Sequence, residues 1–219
     1  MKQADIESSA VAEAAFDRAW SDPHHTPFEM SPLDVNRVVA ASYVTSTPAT
    51  MTAAQLWDNE LKKAWDPTSY IPSAVRSRTT FGHRKLPDGA ETFVRLTEQR
   101  MWRKPSEYGP VIELVVINRD KRRVTFLGAL EARRDDGTLV RIEPAQPLFD
   151  VEHAVGGSET APLNLWRIVH HTESRDERLI EWFARSFEDR TRVPEYIAIY
   201  FQRELGIKLR PRGGNEQSR

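Results

Sequence analysis

Six short segments with the composition of β-strands follow one another through the middle of the chain, and they constrain the fold more than any other feature. β-branched and aromatic residues recur in each segment, whereas Asp88, Gly89, Asp136 and Gly137 lie between segments and tolerate the backbone of tight hairpin turns. The predicted strands are 75–83, 91–102, 111–118, 123–131, 139–143 and 163–173. Because spacings of this kind leave no room for crossover helices, the pattern favours an antiparallel meander over βαβ units.

Two elements are predicted ahead of this series. The segment 37–46 is rich in β-branched residues and is followed by a break at Pro48, which is typical of a strand. Thr52 and Gln55 then form a capping-box pattern at the start of an amphipathic segment. This pattern predicts a helix of about three turns that ends before Pro67.

The C-terminal part of the chain is predicted to be a long amphipathic helix. A second capping pattern occupies 174–177, and an apolar stripe follows it. The stripe consists of Ile180, Phe183, Ala184, Phe187, Ile197, Tyr200, Phe201 and Leu205. Pro194 lacks the amide hydrogen that a helix interior requires, so we expect an interruption or a kink there. Since the stripe is too wide to leave in water, it is predicted to pack on the sheet and to close a cavity.

Composition excludes several classes of function. With 31 Lys and Arg against 32 Asp and Glu, the net charge is −1, which makes nucleic acid an improbable partner. The absence of cysteine removes disulfides, thiolate nucleophiles and thiolate metal sites, and it fits a reducing compartment. No secretory signal and no membrane span is recognisable, so a cytoplasmic location is expected. A phosphate-binding glycine loop and a Gly-x-Ser-x-Gly elbow are also missing, and the oligomeric state is left open.

The order of the elements resembles that of a known superfamily. From about Arg37 to Leu205, a strand, a capped helix with Trp57, a meander and a long C-terminal helix follow one another, as in the START/SRPBCC superfamily, the birch-pollen-allergen-like helix-grip fold. The most telling stretches are 52–57 and 65–72, which are most similar to the AtaL-like group found beside secondary-metabolite biosynthesis genes. The resemblance implies an α+β fold in which a curved antiparallel sheet wraps around the C-terminal helix and encloses a cavity.

The resemblance also divides the chain. Residues 4–20 show the periodicity of an amphipathic helix, and a proline-containing segment with His24 and His25 follows it. We therefore interpret 1–30 as an N-terminal helix and linker, 31–206 as a START/SRPBCC-like ligand-binding domain and 207–219 as a flexible tail.

The implied function is the binding of an apolar or aromatic small molecule. Members of the superfamily include lipid carriers, hormone receptors, polyketide cyclases or aromatases and a few hydrolases, and the fold alone does not choose among them. The favoured hypothesis is a cofactor-free cyclase, aromatase or dehydratase of polyketide-type secondary metabolism. Two alternatives stay open: a carrier of a hydrophobic metabolite without chemistry, and a zinc-dependent hydrolase.

Four ionisable residues on apolar strand faces are candidate catalytic residues: His83, Glu98, Glu113 and His171. A histidine and a carboxylate that face each other across a dry pocket suit proton transfer, because burial raises the pKa of a carboxyl toward that of imidazole. The alternative is that the strand ends leave the core, so that His83 and His171 reach water.

Metal binding is considered at the end of the last predicted strand. His170 and His171 point to opposite faces of a strand, so they do not readily hold one ion, whereas His171 and Glu173 share a face. Some hydrolases of the superfamily use a zinc site of His and Glu, but a helical His-x-x-x-Glu partner is missing here. The sequence therefore predicts no metal site.

Aromatic residues are the candidate ligand-binding residues, since flat rings sandwich aromatic ligands. The candidates are Trp57, Tyr70, Phe81, Trp102, Trp166, Phe183, Phe187, Tyr196 and Tyr200. Packing in the core is the alternative role for each of them.

Overall fold

A computed structural model describes residues 5–187 and 191–212, and its central element is a seven-stranded antiparallel sheet. The sheet consists of β1 (Thr26–Asp34), β3 (Val75–Lys85), β4 (Glu91–Arg100), β5 (Tyr108–Asn118), β6 (Arg123–Ala129), β9 (Phe149–Gly157) and β10 (Pro162–His170). Their order in the sheet is β1-β10-β9-β6-β5-β4-β3. Two small pairs flank it, β2 (Tyr43–Val44) with β11 (Arg210–Pro211) and β7 (Glu131–Arg133) with β8 (Leu139–Arg141). The predicted antiparallel α+β class is confirmed.

Helices cover both faces of the sheet. They are α1 (Ser9–Ser21), α2 (Val35–Ser42), α3 (Ala53–Trp65), α4 (Pro67–Tyr70), α5 (Glu177–Phe187) and α6 (Glu195–Arg203). We call the face that packs with α3, α5 and α6 the inner face and the face that packs with α1 the outer face. Among the described residues, no helix is both long enough and apolar enough to cross a membrane.

Strand β5 shows how the sequence specifies two buried faces. Val111, Val115 and Ile117 belong to the inner core, while Ile112, Leu114 and Val116 belong to the outer core. Successive side chains of a strand point to opposite faces, so a strand that is covered on both faces is apolar throughout. The apolar run in β5, interrupted between 111 and 117 by the buried Glu113, therefore follows from the cover on both faces.

The predicted N-terminal helix is confirmed as α1. The Ser8 hydroxyl accepts a hydrogen bond from the amide of Val11 and caps the helix. Ala12 and Phe16 are fully buried in the outer core with Leu114. Helix α1 is therefore part of the folded body.

The predicted helix after Pro48 and the interruption of the C-terminal helix are also confirmed. Thr52 and Gln55 form a reciprocal capping box at the start of α3. The C-terminal segment forms two helices, α5 and α6, and Pro194 is the N-cap of α6. In α6 the stripe residues Ile197, Tyr200 and Phe201 are buried in the inner core. In α5 Phe183 is buried with Leu179, whereas Ala184 of the predicted stripe is exposed.

The prediction of a strand at 37–46 is wrong. Most of this segment belongs to helix α2, in which the carboxylate of Asp34 caps the helix by accepting a bond from the amide of Arg37. Val38 and Val39 lie on its buried side, so apolar contact outweighs the weak strand preference of β-branched residues. The first strand is instead β1, in the segment interpreted as a linker, and the boundary at 30/31 falls inside it. Its prolines are tolerated because β1 is an edge strand.

Strand β9 was missed altogether. It carries Asp150, Glu152 and His153, which interrupt the apolar pattern that predicts a strand, although the first two are buried. The segment 123–131 divides into β6 and β7, and β10 ends at His170 rather than at 173.

Candidate functional site

A cavity of about 280 Å³ lies between the inner face of the sheet and the helices. Most of its wall is apolar. The apolar side chains that line it are Met30, Ile71, Ala74, Trp102, Phe126, Phe149, Val151, Trp166, Phe187 and Pro194. A depression at the surface along 171–178 is larger, at about 760 Å³. The inner cavity is the one that combines an apolar wall with converging charged groups, so we take it as the candidate site.

Among the residues that the structure describes, nine charged or polar ones line the cavity, and all except Ser73, Arg100 and Glu195 lie together in one region, which we call the polar end. It consists of Lys63, Arg95, Gln99, Glu113, His153 and Tyr196, all of which line the cavity, with Glu60 behind them. Helix α3 supplies Glu60 and Lys63, and α6 supplies Tyr196. The strands supply the others: Arg95 and Gln99 from β4, Glu113 from β5 and His153 from β9.

A buried lysine occupies the centre of the polar end. The ammonium of Lys63 forms an ion pair with the Glu60 carboxylate, one helical turn earlier, and its Nζ lies 2.9 Å from Nδ1 of His153. Lys63 is 4% exposed and Glu60 is not exposed at all. A buried ammonium needs partners of this kind, because an unpaired charge in an apolar interior is very unfavourable.

Burial shifts the proton equilibria of this pair. It lowers the pKa of Lys63 to about 8, an effect that Glu60 opposes and Arg95 reinforces. It also lowers the pKa of His153 well below its usual value, together with the charges of Lys63 and Arg95. His153 is therefore a neutral imidazole at neutral pH. Lys63 changes from ammonium to amine as the pH rises through about 8.

The neighbouring arginine holds a carboxylate in place. Arg95 donates two hydrogen bonds to Oε2 of Glu113, from Nε at 2.9 Å and from Nη2 at 2.8 Å. Its third nitrogen, Nη1, donates to the carbonyl of Ala64 near the end of α3 at 2.9 Å. Gln99 adds a bond to the same Oε2 at 3.1 Å. Glu113 is thus fixed through one oxygen, and the other oxygen, Oε1, takes no part in these bonds.

A tyrosine joins the polar end to the C-terminal helix. The hydroxyl of Tyr196 donates to Oδ1 of Asn164 at 2.7 Å, and the amide of Asn164 donates to Glu60 at 3.0 Å. Nζ of Lys63 lies 3.9 Å from the centre of the Tyr196 ring, which adds a cation–π contact. Burial raises the pKa of Tyr196 well above its usual value, so the hydroxyl keeps its proton.

This arrangement fixes which nitrogen of His153 faces a ligand. The Lys63 ammonium has no lone pair, so it donates to Nδ1, and the neutral ring then carries its proton on Nε2. An N–H donor backed by a positive charge stabilises negative charge that develops on a nearby oxygen. Glu113 offers a carboxylate oxygen in the same cavity. The polar end thus holds both a donor for an oxyanion and a base.

Of the four candidate catalytic residues, one lines the cavity, namely Glu113. His83 is exposed and lies 3.0 Å from Glu91. Glu98 is paired with Arg76 at the surface, because the Val94 face of β4, on which it was predicted, is the outer face. His171 follows the end of β10 and bonds to Asp150 at 2.9 Å. The expectation that these three line the cavity is therefore wrong.

Four of the nine aromatic candidates line the cavity: Trp102, Trp166, Phe187 and Tyr196. Phe183 lies behind them, buried against Trp102 and Trp166. The hydroxyls of Tyr70 and Tyr200 bond to Glu204 and Asp58, and Trp57 packs at the edge of the inner core. Phe81 packs with the outer core. These five residues therefore do not line the cavity, and they pack in or against the core, which is the alternative role considered for them.

Sequence reasoning missed Lys63, Arg95 and His153. A signal existed for two of them: Glu60 and Lys63 follow Leu56 at helical spacing on the buried side of α3, and Arg95 alternates with Phe93 along β4. A charged residue in such a register is costly unless it is paired, which is a reason to single it out. His153 lies in the strand that was missed.

The metal hypothesis has no support in the placement of side chains. Within 5–187 and 191–212, no group of three His, Asp or Glu side chains is arranged to hold a metal ion. His171 contacts Asp150 and stacks on His25 at a centroid distance of 4.7 Å.

Comparisons with known proteins find distant similarity to solved structures and none in sequence. No protein-family model matches the chain, and no curated protein matches it in sequence. Among solved structures, an aromatase/cyclase from a Streptomyces species is similar with 11% identity and a TM-score of 0.47, covering 83% of this chain and 94% of its own. Ara h 8.0201 is similar with 9% identity and a TM-score of 0.47, and the match covers 80% of this chain and 95% of that protein. A START superfamily protein from Mycobacterium smegmatis has 7% identity and a TM-score of 0.39, and the match covers 83% of this chain and 95% of that protein.

Likeness at these identities and TM-scores assigns no activity to the chain. The similarity to the AtaL-like group stays a prediction. The fold itself rests on the strand order, in which β1 lies beside the last long strand, and on the C-terminal helices that pack on the inner face. This topology matches the helix-grip arrangement expected from the sequence, in which an antiparallel sheet packs on the C-terminal helices.

Proposed function

We propose that the cavity binds a small ring-bearing carbonyl compound and that the polar end moves a proton in it, as a cyclase or dehydratase of polyketide-type metabolism requires. The observation that carries this proposal is the convergence of Lys63, His153 and Glu113 on a cavity whose wall is mostly apolar. The volume of about 280 Å³ lies just below the range of roughly 300–1,000 Å³ that is usual for small-molecule sites, which favours a ligand of one or two rings.

The proposed chemistry starts with the carbonyl oxygen of the ligand beside Nε2 of His153. The Nε2 hydrogen bonds to this oxygen, and the Lys63 ammonium on the far side of the ring strengthens the donor. Glu113 then takes a proton from the carbon next to the carbonyl, and the negative charge moves to the oxygen. The resulting enolate is the intermediate from which ring closure or loss of water proceeds.

The carrier hypothesis is the alternative within the same fold. A carrier needs shape and apolar walls, whereas ionisable groups that converge on one part of the cavity favour chemistry. Lys63, Arg95, Glu113 and His153 line the same cavity, although His83, Glu98 and His171, which the sequence also suggests, do not. This convergence is the reason for placing the catalytic hypothesis first.

Exchange of carbon-bound hydrogen tests the proposal without knowledge of the natural substrate. In D₂O, α-tetralone provides a two-ring ketone whose acidic C–H groups exchange slowly, and the exchange is followed by NMR. We expect the protein to accelerate the exchange, and Glu113→Gln and His153→Gln each to reduce it by roughly 10²-fold, the usual size of general acid–base contributions.

Glu98→Gln is the matched control, since it removes a carboxylate at the surface on a neighbouring strand. It is expected to exchange like the unchanged protein. If Glu113→Gln exchanges α-tetralone as fast as the control, Glu113 is not the base. If His153→Gln exchanges it as fast as the control, His153 is not the oxyanion donor.

A further inference from the structure

Lys63 can also act as a nucleophile, a capacity that the proposed proton transfer does not use. It is the only lysine that lines the cavity in the described part of the chain, and an apolar wall surrounds the polar end. A lysine amine that is desolvated in an apolar pocket is a nucleophile toward carbonyl carbon. Its neighbour along the chain, Lys62, points away and forms ion pairs with Asp58 at 2.9 Å and Glu204 at 2.5 Å.

We propose that Lys63 forms a reversible imine with the aldehyde or ketone carbonyl of the ligand, so that the substrate class of the cavity is ring-bearing aldehydes and ketones. This inference rests on the proposed function, because it concerns the same cavity and the same class of ligand. The imine requires a second pose of the ligand, with the carbonyl carbon at Nζ of Lys63 instead of the carbonyl oxygen at Nε2 of His153. It adds a modification site and narrows the ligand from any apolar molecule to a carbonyl compound.

The contacts of Nζ provide for each part of this reaction. The lone pair of the amine attacks the carbonyl carbon, and a carbon–nitrogen bond forms while the oxygen takes up a proton. The Glu60 carboxylate, which contacts Nζ, accepts a proton from the attacking nitrogen and returns it to the leaving hydroxyl. Water then leaves with the oxygen of the ligand and both hydrogens of the amine, and the double bond to nitrogen is complete.

The proton equilibrium of Lys63 is consistent with this role. Burial lowers its pKa to about 8, so that a large share of Lys63 is the neutral amine at pH 8. The ion pairs with Glu204 and Asp58 raise the pKa of Lys62, although desolvation opposes them. Two adjacent lysines of one helix thus differ strongly in the fraction of nucleophilic amine.

Reductive trapping tests the imine. The full-length protein is incubated at pH 8 with 1-naphthaldehyde and sodium cyanoborohydride, which reduces an imine to a stable secondary amine, and the labelled lysine is located by peptide mass spectrometry. We expect label on Lys63 at a rate roughly a hundredfold above that on Lys62, given the difference between a pKa of about 8 and that of an ordinary lysine. Equal labelling of the two lysines, or label on Lys62 alone, would overturn the proposal.

Two variants keep the result interpretable. Lys63→Met combined with Glu60→Gln removes the amine without leaving an unpaired buried carboxylate, and it is expected to lose the label at this site. Val151→Phe fills part of the cavity, and it is expected to reduce the label on Lys63 while labelling of Lys62 stays unchanged. Undiminished label on Lys63 in Val151→Phe would show that the amine reacts from outside the cavity and would overturn the inference.

The binding of 1-naphthaldehyde without reductant separates this inference from the proposed function. It is measured by broadening of the aldehyde NMR signals, with Val151→Phe as the reference. Binding that depends on the cavity without trapping at Lys63 would overturn the imine and leave the proposed site intact. If 1-naphthaldehyde neither binds in the cavity nor is trapped at Lys63, the imine is overturned and the result also counts against a carbonyl ligand.

Discussion

At the scale of single residues, burial decides which groups carry charge inside the protein. His170 is 1% exposed and lies among the rings of Trp102, Phe149 and Phe183. This burial lowers its pKa to about 3, so it stays neutral in the folded protein under conditions where an exposed histidine is charged. Burial lowers the pKa of His153 as well. The two histidines therefore link folding to pH.

Acid is predicted to destabilise the protein through His170. Below pH 6.5 the unfolded chain protonates this histidine, whereas the folded chain does not until about pH 3, so the free energy of unfolding falls as the pH falls through this window. One such group contributes about 1.4 kcal/mol per pH unit. His170→Leu, which keeps the site apolar, is expected to show a shallower slope in urea unfolding measured from pH 6.5 to 4.

His24→Leu serves as the control, because His24 lies exposed in the turn before β1. It is expected to retain the slope of the unchanged protein. Parallel curves for His170→Leu and the control would mean that His170 does not stay neutral in the folded state.

At the scale of elements, local signals predicted what local contacts form. The Thr52 capping box and the stop at Pro194 depend on residues within a few positions, and both were correct. Helix α2 was mistaken for a strand because its apolar residues suit either element, and only contact with the core decides between them. At the site, Glu113 was found from its apolar neighbours along β5, whereas Lys63 requires knowledge of which side of α3 is buried.

Helix α5 is predicted to depend on Phe183. This ring is 1% exposed and packs between Phe28 at a centroid distance of 5.4 Å, Trp102 at 5.3 Å and Trp166 at 5.9 Å. Phe183→Ala is expected to lower the free energy of unfolding by about 3–5 kcal/mol, the usual cost of removing a buried phenylalanine. Urea unfolding measures it.

Ser186→Ala is the matched control on the same helix, since Ser186 is exposed. It is expected to leave stability unchanged within about 0.5 kcal/mol. A loss as small in Phe183→Ala would mean that α5 is not packed on the inner face.

At the scale of the whole molecule, the sheet separates two layers with different tasks. The inner layer of α3, α5 and α6 encloses the cavity, while α1 and the β7–β8 pair pack on the outer core that contains Leu114, Val116 and Leu127. Ser9 also bonds through its backbone and its hydroxyl to Asp88 in the β3–β4 turn, which fixes the start of α1 on the sheet. The inner site thus rests on a sheet whose far face must be covered.

Removal of residues 1–21 is predicted to expose this outer face. Large apolar patches on a protein surface promote association, so the truncated protein is expected to bind a hydrophobic dye strongly and to aggregate on mild heating. Dye fluorescence and light scattering measure the two effects. A truncated protein that stays monomeric with unchanged dye binding would show that α1 is dispensable for the sheet.

The occupancy of the cavity is the central claim, and native mass spectrometry of the protein purified from its own host tests it most directly. The unchanged protein is predicted to carry an additional small mass that is lost on activation in the gas phase and that is a carbonyl compound with one or two rings. Val151→Phe, whose added ring fills part of the cavity, is predicted to lose this mass while its circular dichroism spectrum stays the same. A bound mass of equal abundance in Val151→Phe would contradict the assignment of the site, and a ligand without a carbonyl group would contradict the proposed chemistry.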